Sequence, residues 1–153
     1  MTIDVNMPAP DFTLPDETGT PRSLHEFRGK PVVLYFYPKD DTPGCTKEAC
    51  SFRDDYQVYV EAGVVILGVS PDSPASHARF KQKYNLPFTL LSDEDHQVSR
   101  LYGVWGKKKF MGREYEGVLR TTFLIDENGL IKKIFPNVKP EGHSAEVLAA
   151  LRA

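Results

Sequence analysis

Cys45 and Cys50 are the residues of this 153-residue chain best placed to do chemistry, and they are its only thiols. A thiol has two main uses: attack through its thiolate, or pairing in a disulfide. Thr42-Pro43-Gly44 stands directly before Cys45. Thr as N-cap and Pro at the first helical position signal a helix start, which makes Cys45 the third helical residue. A sulfur in that first turn meets free backbone N–H groups and the positive end of the helix dipole, which favour its reactive anion. Cys50 follows five residues later. On an ideal helix that places the Cα atoms roughly 8–9 Å apart and about 140° around the axis. A disulfide needs about 4.4–6.8 Å. Either the two sulfurs never meet, or the helix unwinds locally so that they can.

The elements that must hold these residues are legible on either side. Residues 31–37 (PVVLYFY) are apolar, β-branched and aromatic, the pattern of a strand buried on both faces. The cysteine helix is expected to run on through Phe52, Tyr56 and Val60, spaced by four, and to end at Gly63. Residues 64–70 read as a second buried strand, so the strand–helix–strand order implies a right-handed parallel unit. Upstream, residues 12–23 read as a hairpin turning at 16–20, and Ser23-Leu-His-Glu26 has capping-box spacing for a short helix reaching Gly29. Downstream, Ser73-Pro74 starts a helix lined by Ala78, Phe80 and Tyr84, residues 88–92 form a strand, and 95–102 a short helix. Residues 103–117, glycine-punctuated and basic, read as a surface loop carrying Lys107-Lys-Lys109, with Trp105 as half-buried packing or a lid. Two strands, 121–125 and 130–135, flank Asp126-Glu-Asn-Gly129 as a hairpin, and Ser144 caps a last helix whose apolar residues are Val147, Leu148 and Leu151. The whole is an α/β, thioredoxin-like arrangement: a central mixed sheet with helices on both faces and an N-terminal hairpin extension. Ligands of such sheets gather at the carboxyl ends of strands, where Cys45 falls.

Length and apolar content fit a single domain over 1–153 with one sizeable core. A net charge of −2 gives no reason to expect nucleic acid or an anionic membrane. No apolar run approaches a membrane span, and the polar opening residues lack a signal-peptide layout, so a reducing cytoplasm is the expected compartment. There, two cysteines are more often catalytic, redox-sensing or metal-binding than structural. His25, His77, His96 and His143 fall in separate elements without ligand spacing and read as surface residues, leaving no metal site.

Pro38…Thr42…Cys45 has the Pro-x-x-x-Thr-x-x-Cys pattern of the peroxiredoxins, and Cys50 resembles the second cysteine of the bacterioferritin-comigratory-protein, or peroxiredoxin Q, branch. The similarity runs from Pro10-Asp-Phe-Thr-Leu14 to Leu119-Arg-Thr-Thr-Phe-Leu-Ile-Asp126. It implies a thioredoxin-dependent thiol peroxidase acting on hydrogen peroxide and organic hydroperoxides. Cys45 resembles the peroxidatic cysteine and Cys50 the resolving one, joined as an intramolecular disulfide during turnover. Thr42 resembles the threonine that positions the peroxide, and Pro38 the proline that shields the loop. Arg120 resembles the arginine that reaches the thiolate, and Glu48 the acid that holds it. Gly44 leaves room for peroxide against the backbone. No metal, flavin or haem is required, and an intramolecular pair suits a monomer. Two other readings stay open: a general thiol–disulfide oxidoreductase, which usually employs Cys-x-x-Cys, and a non-enzymatic redox-sensing module.

Overall fold

The computed structural model describes residues 3–152; Met1 and Thr2 of the polar opening, and Ala153, lie outside it. The central strand is β3 (Val32–Phe36), buried at every position as its unbroken apolar run requires. It pairs in parallel with β4 (Val65–Ser70) on one side, and β4 pairs in parallel with β5 (Thr89–Ser92). On its other side it pairs antiparallel with β8 (Thr121–Ile125), which pairs antiparallel with β9 (Ile131–Phe135). The resulting sheet order is β5-β4-β3-β8-β9.

Alternation along β3 divides the interior in two. Val32, Leu34 and Phe36 enter one apolar cluster with Phe12, Leu14, Leu24, Val98 and Tyr102. Val33, Tyr35 and Tyr37 enter the other with Cys45, Phe52, Tyr59, Phe80 and Val147. The second face is the helical one, covered by α1 (Pro43–Asp54), α2 (Tyr56–Glu61), α3 (Pro74–Tyr84) and α5 (His143–Leu151). The first is covered by α4 (Gln97–Leu101), a 3-10 turn at Leu24–Phe27 and the hairpin of β1 (Thr13–Pro15) and β2 (Pro21–Ser23), rather than by long helices. Among the described residues no helix is long and apolar enough to cross a membrane.

Several local expectations are corrected. The cysteine helix is not continuous to Gly63: Asp55 leaves helical geometry (φ −97°, ψ 7°) while its carboxylate accepts from Ser144 Oγ at 2.7 Å. The break turns α2, so Tyr59 is buried and Val60 is exposed. In α3 the inward residue is His77, not Ala78. Ser144 is inside α5, whose N-cap is Gly142 (φ 71°); Ser144 is buried and its hydroxyl links Asp55 to Tyr59. The short helix is α4 alone, entered through left-handed His96. Residues 103–117 are no loop but carry a hairpin of β6 (Trp105–Phe110) and β7 (Arg113–Val118). Met111 and Gly112, both at positive φ, form its two-residue turn, and Lys107 faces Glu116 as Lys109 faces Glu114 across the strands. Trp105 packs on His96 with ring centroids 3.8 Å apart.

Candidate active site

Every element needed to aim Cys45 meets at the carboxyl end of β3. Tyr37 ends the buried run, half-buried Pro38 turns the chain, and Thr42 opens α1 in extended geometry (φ −95°, ψ 156°) with Pro43 next. The Thr42 hydroxyl does not cap the helix. It donates to the Lys39 carbonyl at 2.9 Å, which commits its proton and leaves its lone pairs to accept.

The loop from Pro38 to Thr42 is clamped by two consecutive aspartates. Asp40 accepts from Tyr37 Oη (2.6 Å) and Ser76 Oγ (2.8 Å) and faces His77 Nδ1 at 2.6 Å. His77 Nε2 faces the Leu91 carbonyl at 2.9 Å, so both ring nitrogens lie against oxygen atoms. Asp41, at φ 56°, accepts from Lys83 (2.7 Å) and Tyr84 (2.8 Å) of α3. Asp40, Asp72 and His77 hold potential metal-ligating atoms within 4.8 Å of one another, and hydrogen bonds engage all three, Asp72 accepting from the Asp40 N–H (2.8 Å) and Ser70 Oγ (2.6 Å). His77 and His143 are fully buried, which corrects their reading as surface residues. His143 bridges Thr122 Oγ1 (2.7 Å) and Glu146 (2.6 Å), and burial pushes its pKa down.

Cys45 is itself buried, in the first turn of α1. Arg120, arriving just before β8, donates from Nη2 to its sulfur at 3.3 Å and from Nη1 to Glu48 Oε1 at 2.8 Å. One planar fork therefore joins sulfur and carboxylate. Glu48 is fully buried, and its Oε2 finds no partner among the described residues. Burial raises the Glu48 carboxyl to about 7, against the opposing pull of Arg120. Arg120 is held cationic: burial opposes its charge, but Cys45 and Glu48 outweigh that and raise its pKa. A Cβ on Gly44 would lie 3.2 Å from Arg120 Nη2 and 3.4 Å from Pro140 Cγ, so this glycine makes room for the guanidinium. Beside Gly44 opens a groove of about 450 Å³ lined by Pro43, Lys47, Lys139, Pro140 and Glu141.

Cys50, half-exposed on the same intact helix, lies away from this cluster; both thiols are free. Burial, chiefly, pushes the Cys50 thiol up. The structure thus gathers Cys45, Glu48, Arg120 and Gly44, sets Thr42 and Pro38 on the adjoining turn, and keeps Cys50 apart. The Asp40–His77 clamp had no sequence signal, since its members are 37 positions apart and share no periodicity.

The AhpC/TSA family matches residues 5–134. The chain is 58% identical over 151 residues to a putative peroxiredoxin bcp of Coxiella burnetii, covering 99% of this chain and 100% of that one. It is 49% identical to peroxiredoxin Bcp of Bacillus subtilis, covering 99% and 97%. The bacterioferritin comigratory protein of Xanthomonas campestris, solved in a study of its alkyl peroxide reduction activity, superposes with TM-score 0.90 at 38% identity, covering 97% and 98%. The chain belongs to the AhpC/TSA family and, within it, to the Bcp and Q branch of the peroxiredoxins, thiol peroxidases that reduce peroxides through cysteine.

Proposed function

We propose that Cys45 is the peroxidatic sulfur and Cys50 the resolving sulfur of a thioredoxin-dependent peroxidase acting on hydrogen peroxide and small organic hydroperoxides. The observation that carries this reading is the 3.3 Å contact from Arg120 Nη2 to Cys45 Sγ at the opening of α1. The thiolate attacks the terminal peroxide oxygen in line. An S–O bond forms as the O–O bond breaks, sulfur is oxidised by two electrons, and the departing oxygen takes a proton from solvent to leave as water or alcohol. Arg120, with its charge fixed, stabilises both sulfur and departing oxygen, and the backbone N–H groups of the first turn add to it. The Thr42 hydroxyl, its hydrogen already donated to the Lys39 carbonyl, accepts a hydrogen bond from the peroxide O–H and so orients it. The groove beside Gly44 takes the organic substituent, with Pro43 and Pro140 as its apolar walls. Pro38 keeps water from the turn, and Glu48 holds the guanidinium.

The sulfenic acid at Cys45 then condenses with Cys50: an S–S bond forms and water leaves. The helix must open first, since residues five apart on it are too distant to bond. Opening also removes the burial that suppresses the Cys50 thiol, so the resolving sulfur becomes a nucleophile when it becomes reachable. A dithiol of the thioredoxin type returns two electrons and two protons. The chain works as a single-domain monomer in the cytoplasm, because the resolving pair needs no second subunit. The test is peroxide consumption by the reduced protein, alone and with thioredoxin, its reductase and NADPH. Fast consumption and sustained turnover are expected. Insulin reduction without peroxide consumption would instead indicate a general oxidoreductase, and oxidation without turnover a sensor.

A further inference from the structure

Lys108 stands in the run Lys107-Lys-Lys109, but unlike its neighbours it is not a solvated charge. On the β6–β7 hairpin Lys108 faces Tyr115 and Gly106 faces Gly117, so these four residues share one face. Two glycines directly opposite each other weaken a strand pair and mark a place where something must lie close. A Cβ on Gly117 would come 3.3 Å from Lys108 Cδ, and one on Gly106 would come 3.0 Å from Leu119 Cδ1. The lysine stem therefore lies back over Gly117, and its ammonium donates to the Val118 carbonyl at 2.9 Å, two residues before Arg120. Lys107 and Lys109 stay exposed on the opposite face, across from glutamates.

From this placement we infer that Lys108 is a second cation of the peroxide site: a positioning residue that ties the hairpin to the segment carrying Arg120 and draws anions toward the Cys45 sulfur. Consistent with it, the ammonium is depressed by burial and by the charge of Arg120, and raised by Cys45, so it feels both members of the site. The inference extends the reading of Cys45 as the reactive sulfur, but its own readout is alkylation, which fails or succeeds independently of peroxide reactivity.

In a Cys50→Ser background, which leaves one thiol, the rates of alkylation by iodoacetate and by neutral iodoacetamide are compared. Their ratio reports the local potential and is insensitive to how much of the sulfur is ionised. Lys108→Met and Lys108→Gln should lower the ratio about threefold to tenfold at low salt, the scale of one partly screened charge. Lys108→Arg should restore it, and added salt should shrink the difference. An unchanged ratio in both neutral variants, or no rescue by Arg, overturns the assignment. A normal ratio change with no peroxide reactivity at Cys45 would overturn the peroxidase reading and leave Lys108 as an anion-attracting group.

Discussion

Two buried polar clusters flank the turn at the end of β3, and they are built to opposite rules. Around Asp40 and His77, both ring nitrogens of the histidine and both oxygens of the carboxylate have partners. Around Cys45 and Arg120, Glu48 Oε2 has none among the described residues, and the sulfur has one donor facing it. A satisfied network rigidifies; an unsatisfied one holds a functional group ready at a cost in stability. On the function proposed above, the first cluster fixes the loop and the second does the chemistry. Perturbing them should therefore separate stability from rate.

The largest effect is expected from Arg120→Met. Peroxide consumption by the reduced protein, followed by stopped-flow, should fall by about 10²–10³-fold, the scale of losing an oxyanion donor. Folding stability should change little, because Glu48 left without its cation takes up a proton. His77→Ala should invert that pattern. It takes one partner from Asp40, which keeps Tyr37 and Ser76, and one from the Leu91 carbonyl, and it empties a buried site, costing about 2–4 kcal/mol in urea unfolding, with a smaller loss in rate. Equal losses of rate and stability in both variants would erase the distinction between the clusters.

Glu48→Gln sharpens it through pH. The Glu48 carboxyl is raised from 4.5 to about 7 in the folded chain, so between those values the folded state binds more protons than the unfolded one. Stability from this group is present at low pH and is lost as pH rises toward 7, by roughly 3 kcal/mol in all. Urea unfolding across that window should show the decline in the wild type and a flatter profile in Glu48→Gln. The smallest effect is expected from Tyr35→Phe. The Tyr35 hydroxyl is buried without a partner among the described residues, and removing it should leave stability unchanged or raised by up to about 1 kcal/mol, read as the midpoint of thermal or urea unfolding.

What could be read from the chain alone follows the same division between local and distant signals. The apolar run of β3, Thr42-Pro43 at the start of α1 and the 126–129 turn are local patterns, and the structure keeps all three. The break at Asp55 was hidden because tertiary contact with Ser144, not local propensity, ends α1. The β6–β7 hairpin was hidden by its exposed, lysine-rich strands, although Met111-Gly112 and the facing Lys and Glu residues carried a signal. At the site, the position of Cys45 in the first turn was legible from spacing. Arg120 and Glu48 came only through the resemblance, because 72 residues separate them and nothing local joins them. His77 and His143 were misjudged for a related reason: a histidine's burial depends on partners that lie in other elements.

The central claim is that a sulfur held against Arg120 takes up the peroxide oxygen and is then joined by a cysteine that the intact helix keeps away. Intact mass after one equivalent of hydrogen peroxide tests it directly in three proteins. Wild type should lose two hydrogens as an intramolecular disulfide, Cys45→Ser should be unchanged, and Cys50→Ser should gain oxygen. A wild-type product that carries added oxygen on Cys45 with Cys50 still free, or oxidation that persists in Cys45→Ser, would contradict it.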